Sequence, residues 1–360
     1  MIKKYENYLI KLFFKNILLI SIVFIFISFF LNIFEEIKFA DNYDKGFLYP
    51  VMLTLLNIPS IVFEILPFIF LISSMFFYID LYDKEEIELL RTNGINNSKI
   101  TFVIAVTSIM LGAFLIIIFY SLSANLKNIY LNLKYKYTEN SDHLAVVNES
   151  GLWIKEKISN SIFIINANSF NKNDLENISI TQLDSNYKAI NTIISKYANI
   201  EKRKWILNDV KIFSEKSKNN INYKQYTYVS SFNGEIISNL YSNLNSLNII
   251  ELHKLKKNYN SIGYSTTEVK LHLNKLYSLP IYLTLTTIIG SLLMFRLNYI
   301  KSKFFLVMIG VLVSVVFYYI NYFSVLFGKN ETFPVEISVW MPQLMILLIC
   351  SLGLLRLNES

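Results

Sequence analysis

The sequence predicts an α-helical polytopic membrane protein, six spans in two groups of three, with an extramembranous β-domain, a sandwich or jelly roll, inserted between the groups. Two observations lead there. Six long apolar runs, almost free of charge, fall at about Asn16–Phe34, Met52–Ile79, Ile100–Ser123, Leu279–Phe295, Phe304–Leu326 and Val339–Leu355. Between the third and fourth runs lies a polar stretch of about 140 residues made of short alternating segments. A helix rising 1.5 Å per residue needs about 17–25 apolar residues to cross about 30 Å of hydrocarbon. In lipid the backbone must satisfy its own polar groups, so these runs are helices. The divisions are 1–126, 127–268 and 269–360.

Composition agrees. The 360 residues are 53% hydrophobic and 17% charged, whereas a soluble domain carries about 25% charged residues. Cys350 is the single cysteine, which excludes an intrachain disulfide. His143, His253 and His272 are far apart and form no ligand-spaced cluster, so neither a metal nor another cofactor is expected.

Taken in order, the N-terminal Lys3, Lys4, Lys11 and Lys15 precede a run too long for a signal-peptide core, and no small-residue cleavage site follows it. Ile2, Tyr5, Leu9, Leu12 and Phe13 recur at helical spacing opposite those lysines. This predicts an interfacial amphipathic helix before the chain turns into the membrane. Basic residues set the orientation. Lys84, Arg91 and Lys99 lie between runs two and three, Arg296, Lys301 and Lys303 between four and five, and Arg356 follows six. The opposite short loops mix Lys38, Lys45 and Lys329 with acids. Both termini are therefore expected in the cytoplasm and the insert outside.

In the insert, strands are expected at Gly151–Lys155, Ser161–Asn168, Ile178–Gln182, Ala189–Tyr197, Lys204–Leu207, Lys211–Ser214 and Tyr223–Ser230, with turn residues between them. Strands of this length and spacing suggest a sandwich or jelly roll. Leu247–Asn258 reads as a helix leading through Gly263 to the fourth span. Asp142, His143 and Glu149 are neighbours, but no activated nucleophile or paired carboxylate accompanies them, so catalysis is not expected.

The segment Asp83–Gly94, DKEEIELLRTNG, begins acidic, carries apolar Ile87, Leu89 and Leu90, then Arg91, and stops at glycine. Early acids, a late base and a glycine just past the end describe a short capped helix at the membrane face. Its plain reading is an ordinary charged loop helix. Its sharper reading is a coupling helix that docks on a cytoplasmic motor. Glu64 lies midway along the second run, where a carboxylate is costly unless paired or protonated. It reads as a locally hydrogen-bonded acid, and Asn32 and Asn57 as interhelical donors.

The three-span, β-domain, three-span order resembles the LptF/LptG family of lipopolysaccharide-export permeases. ELLRTNGINNSKI (Glu88–Ile100), with Glu86 just before it, is similar to that family's segment of a glutamate followed by LRAAGxS, with Glu86, Arg91 and Gly94 on matching positions and Thr92-Asn93 departing from it. Pro59, Pro67, GLWIKE (Gly151–Glu156), KWILNDV (Lys204–Val210), LHLNKLYSLP (Leu271–Pro280) and VWMPQL (Val339–Leu344) carry the likeness through the chain. The GLW string leans toward the LptG branch.

The resemblance implies a transport subunit rather than an enzyme, one that extracts lipopolysaccharide from the inner membrane. The implied partners are an LptB-like ATPase dimer, an LptF-like paralogous permease, a single-span LptC-like chain and an LptA-like periplasmic bridge, with no nucleic acid. Independently, the chain lacks G-x4-GK-[ST], so an ATPase would be another chain. The coupling residues would be Glu86, Glu88, Arg91 and Gly94. An anionic lipid would meet Lys38, Lys45, Lys270 and Lys275, with Phe26 and Phe30 at its acyl chains. Lysines at span ends also snorkel to headgroups, and buried phenylalanines simply pack. The rival readings are a lipoprotein-type exporter subunit, whose usual four spans do not fit, and a membrane-anchored sensor, which needs no coupling helix.

Overall fold

A computed structural model describes residues 3–135, 152–158, 161–171, 173–184, 188–214, 220–234, 237, 243–261, 265–295 and 302–358. Asp142, His143, Glu149, Gly151, Gly263, Arg296 and Lys301 lie outside the described residues. The chain divides into two compact units, Met1–Tyr130 with Thr267–Ser360, and Leu131–Thr266.

In the first unit the helices are α1 (Lys4–Asn42), α2 (Leu48–Glu64), α3 (Leu66–Asp83), α4 (Glu86–Thr92), α5 (Asn97–Phe114) and α6 (Ser121–Tyr135), the last two joined by a π-helical segment at Leu115–Tyr120. After α7 (Ile249–Ser261) in the second unit come α8 (Thr267–Met294), α9 (Lys303–Lys329) and α10 (Val335–Asn358). Among the described residues six helices are long and apolar enough to cross a membrane: α1, α3, the continuous Asn97–Lys134, α8, α9 and α10.

Two expectations are corrected here. No turn separates an interfacial helix from the first span, because no glycine or proline interrupts Lys4–Asn42. The buried stripe Leu9, Leu12, Phe13, Asn16, Ile17 and Ile20 runs without a break from one into the other. The second apolar run, by contrast, is two helices. Pro67 has no N–H to give the Phe63 carbonyl and its ring crowds that oxygen, so the chain breaks at Ile65 (φ −94°, ψ 6°). Pro59 stays inside α2.

Small residues bring the central helices together. A Cβ on Gly290 of α8 would lie 2.0 Å from Ser74 Oγ and 2.6 Å from the Leu71 carbonyl of α3. Ser108 and Thr287 hydroxyls meet at 2.9 Å, and Tyr78 and Thr101 hydroxyls at 2.9 Å. Without water to drive association, close backbone approach and such bonds hold spans together. The conspicuous motifs at the second group of spans join one another: Trp340 Nε1 donates to Asn274 Oδ1 at 3.3 Å, tying VWMPQL to LHLNKL.

The second unit holds one antiparallel sheet, β1 (Leu152–Ile158), β2 (Ser161–Asn171), β3 (Asp174–Leu183), β4 (Ala189–Asn199), β5 (Lys204–Ser214) and β6 (Asn220–Val229), ordered β1-β2-β3-β4-β5-β6. The inserted β domain is present, but the described strands form a meander without the crossovers of a jelly roll. The two strands expected at Lys204–Leu207 and Lys211–Ser214 are a single β5. Asp209 adopts φ +52° there, and buried positions shift from Trp205 and Leu207 to Val210 across it. Pairing to β6 keeps the same register on both sides, Asn208 with Gln225 and Val210 with Tyr223.

Inward residues of this sheet, among them Leu152, Ile154, Ile165, Ile178, Trp205 and Leu207, form a filled core. Trp205 Nε1 donates to the Phe232 carbonyl at 2.8 Å. Glu156 on β1 is 2% exposed. It accepts from Tyr228 Oη at 3.2 Å and Ser230 Oγ at 3.0 Å, and from the Ser231 amide. The last acid of GLWIKE therefore ties the first edge of the sheet to the last. Burial, and then the Glu156 carboxylate, push the Tyr228 phenol well above its ordinary range.

Candidate functional site

Within the Asp83–Gly94 segment, α4 is a seven-residue helix, Glu86–Thr92, that follows the end of α3 at Asp83. It is too short to hold itself together, because nucleating an isolated helix is unfavourable. Its supports come from elsewhere. Ile87 is buried, and the Tyr8 hydroxyl lies 2.7 Å from both Glu86 carboxylate oxygens. Lys303 at the start of α9 pairs with Asp83. Gly94 ends the helix at φ +76°, where a glycine carries no Cβ penalty. Its amide donates to the Arg91 carbonyl at 2.9 Å, and the Ile95 amide to the Leu90 carbonyl at 3.0 Å. Lys99 Nζ donates to the Gly94 carbonyl at 3.1 Å.

These contacts sort the expected coupling residues. Glu86 faces α1 and fixes the helix, while Glu88, Leu89 and Arg91 point outward. Leu89 is 63% exposed. This apolar side chain stands exposed between an acid and a base. Arg91 Nε reaches Asn97 Oδ1 at 3.4 Å, which steadies it from α5. Tyr8 was missed from the sequence because it lies 78 positions from Glu86.

The expected lipid-contact residues are spread over several elements. Phe26 and Phe30 of α1 are 60% and 61% exposed, and Lys38 two turns on is exposed as well. Lys45 follows α1 and is half-buried; Lys270 and Lys275 are on α8, the first half-buried and the second exposed. Among these lysines Lys275 has a charged neighbour across helices, since the Glu64 carboxylate of α2 acts on it. Glu64 therefore has a cationic companion that the sequence did not show. One turn from Lys275, His272 Nε2 lies 2.8 Å from Tyr120 Oη. Tyr120 ends the π-helical segment and its ring lies 5.1 Å from that of Phe63. Such π segments recur at functional sites.

A second polar chain joins α1, α2 and α6. Asn57 Nδ2 donates to Asn32 Oδ1 at 3.2 Å, and Lys127 Nζ donates to Asn57 Oδ1 at 2.5 Å. Lys127 also lies 4.7 Å from the Tyr130 ring, and Tyr130 Oη donates to Glu36 Oε1 at 2.7 Å. Asn32 and Asn57 are thus the interhelical pair expected of them. Lys127 gave no sequence signal beyond standing at the end of a span. Taken together, the unit carries an outward ridge on α4 and cations with polar partners along α2, α6 and α8.

A family model described as "Lipopolysaccharide export system permease LptF/LptG" matches residues 7–356. A search of curated proteins returns no match.

Proposed function

The chain belongs to the LptF/LptG family of lipopolysaccharide-export permeases, and from that premise we propose that it forms one half of an ATP-driven exporter whose ATPase is a separate chain. A member of this family is a multi-pass inner-membrane transport subunit. In this reading the termini and α4 face the cytoplasm and the sheet faces the periplasm. The carrying observation is α4 itself, with Glu88, Leu89 and Arg91 outward, Tyr8 holding it to α1, and Lys303 of α9 paired with Asp83 at the end of α3, just before it.

Nucleotide binding would close the motor dimer, and α4 would move with it. Because Tyr8 ties α4 to α1, and Asp83 ties α3 to α9, motion at the ridge reaches three spans. Such a ligand shifts an equilibrium only through contacts that differ between the two states. The lipid phosphates would meet Lys38, Lys45, Lys270 and Lys275, and in this reading Lys127, which donates to Asn57, would join them. Exposed Phe26 and Phe30 would lie along the acyl chains. A paralogous LptF-like chain, an LptC-like chain and an LptA-like bridge complete the route, with this chain nearer the LptG branch.

The test is affinity purification from native membranes in mild detergent, with Leu89→Asp/Arg91→Glu in parallel and Tyr8→Phe as a folded control. An ATPase and lipopolysaccharide that copurify with the wild type, the ATPase alone being lost from the double variant, support the reading. A wild-type chain that brings down no ATPase refutes it.

A further inference from the structure

A cavity of about 480 Å³ opens between the N-terminal turn of α1 and the end of α4. Lys3, Lys4 and Tyr5 line it from one side, and Gly94 and Lys99 from the other. Leu90 and Ile95 give it an apolar wall. None of its lining side chains is acidic. Lys3 Nζ lies 6.0 Å from the Tyr5 ring, and Lys99 Nζ is held toward the cavity by the Gly94 carbonyl. Three ammonium groups thus flank one hollow, while the neighbouring Glu6 carboxylate is taken up by the Lys3 amide and the Tyr5 hydroxyl, so an anion entering the hollow would be attracted by all three lysines. Lys99 directly precedes Ile100, where the apolar run of α5 begins, so this wall of the cavity stands at the edge of the hydrocarbon.

We propose that this cavity binds the phosphate of an anionic phospholipid of the adjacent leaflet. Lys3, Lys4 and Lys99 would hold the phosphate, and Leu90 and Ile95 the glycerol end of the acyl chains. The inference rests on the functional reading in one respect, that this face is cytoplasmic, where anionic lipids concentrate. Lipid is favoured over an acidic protein segment because the site combines a membrane-edge lysine with an apolar wall. A bound headgroup would also bridge α1 to the far end of α4, beside the Tyr8–Glu86 contact. The coupling helix would then depend on the lipid around it as well as on its motor.

The experiment is native mass spectrometry of the full chain, purified with its partners and titrated with phosphatidylglycerol, phosphatidylcholine or inorganic phosphate. Lys3→Gln/Lys4→Gln/Lys99→Gln is compared with Lys11→Gln/Lys15→Gln, a pair on α1 that does not line the cavity. The expected result is phosphatidylglycerol preferred over phosphatidylcholine, retention lost about a hundredfold in the triple variant, at about 1 kcal/mol per lysine, and unchanged in the pair. Tight binding of inorganic phosphate in place of the lipid would make this a free-phosphate site and overturn the lipid assignment. Equal losses in both variants would mean diffuse surface charge and overturn it too. Unchanged lipid with loss of the copurifying ATPase would make the cavity a protein contact instead. Failure of the functional reading is distinguishable, since it appears as an absent ATPase in the wild type whatever the lipid result.

Discussion

The hydroxyl of Tyr8 sits 2.7 Å from each carboxylate oxygen of Glu86, so the first turns of α1 hold α4 by a single charge-assisted donor. Removing that donor leaves α4 with its buried Ile87 and its glycine stop but loosens its angle. Tyr8→Phe should therefore leave the ATPase bound and lower lipid export per ATP hydrolysed. A hydrogen bond to a charged group contributes about 1.5–3 kcal/mol, and exposure of this pair brings it to the low end. The measurement is the ratio of lipid released to phosphate produced in proteoliposomes. A Tyr8→Phe complex with an unchanged ratio would show that α4 is held well enough without it.

Close approach of α3 and α8 predicts a size limit at Gly290. Ser74 Oγ, which donates to the Leu71 carbonyl at 2.7 Å, would be 2.0 Å from a new Cβ. Gly290→Ala should lower thermal stability in detergent, since overpacking a tight interface costs about 1–3 kcal/mol. Gly290→Leu should prevent recovery of monodisperse protein. Adding Ser74→Gly removes the nearest obstacle and should restore part of the loss to Gly290→Ala. If the double variant melts no higher than the single one, the Leu71 carbonyl at 2.6 Å is the limiting contact.

Much of this was legible in the residues, and the exceptions share a cause. Apolar runs announce spans because lipid tolerates few alternatives, yet Pro59 and Pro67 look alike in sequence while only the break at Ile65 interrupts the helix. Which proline breaks a helix depends on whether tertiary neighbours hold the flanking turns. Asn208-Asp209 reads as a turn between two strands, but Asp209 takes a left-handed conformation and stays inside β5. At the site, the capped α4 was visible as local chemistry. Its partition into an anchoring Glu86 and an outward Glu88 and Arg91 was not, because Tyr8 reaches it from a distant segment. Lys127 and Glu64 likewise acquire meaning only through Asn57 and Lys275 on other helices.

Glu156 should be the most sensitive polar position of the β domain. Truncating a buried carboxylate that accepts from three donors leaves those donors short of a partner, and a buried donor left unsatisfied costs about 1–3 kcal/mol. Glu156→Ala should therefore expose the sheet to proteolysis in the full chain, and Glu156→Gln should retain part of the network and resist better. The alkaline limb has a definite sign. Tyr228 holds its proton more tightly folded than unfolded, so its contribution is complete below pH about 10 and fades as pH rises past that value. Circular dichroism of the sheet should show a shallower alkaline loss in Tyr228→Phe than in the wild type.

Glu64 and Lys275 offer a test of the lipid path. If Lys275 meets a lipid phosphate, Glu64 competes for the same ammonium group, and like charges near one cation oppose each other. Lys275→Met should lower the lipopolysaccharide that copurifies, whereas Glu64→Gln should raise it by freeing the cation. The two changes move retention in opposite directions, and a merely structural ion pair would not do that, because breaking it from either side should harm the fold alike. Retention is read as lipid phosphate per mole of protein, beside the melting temperature of each variant. Equal losses from both substitutions, with equal falls in melting temperature, would assign the pair to helix packing and remove Lys275 from the lipid path.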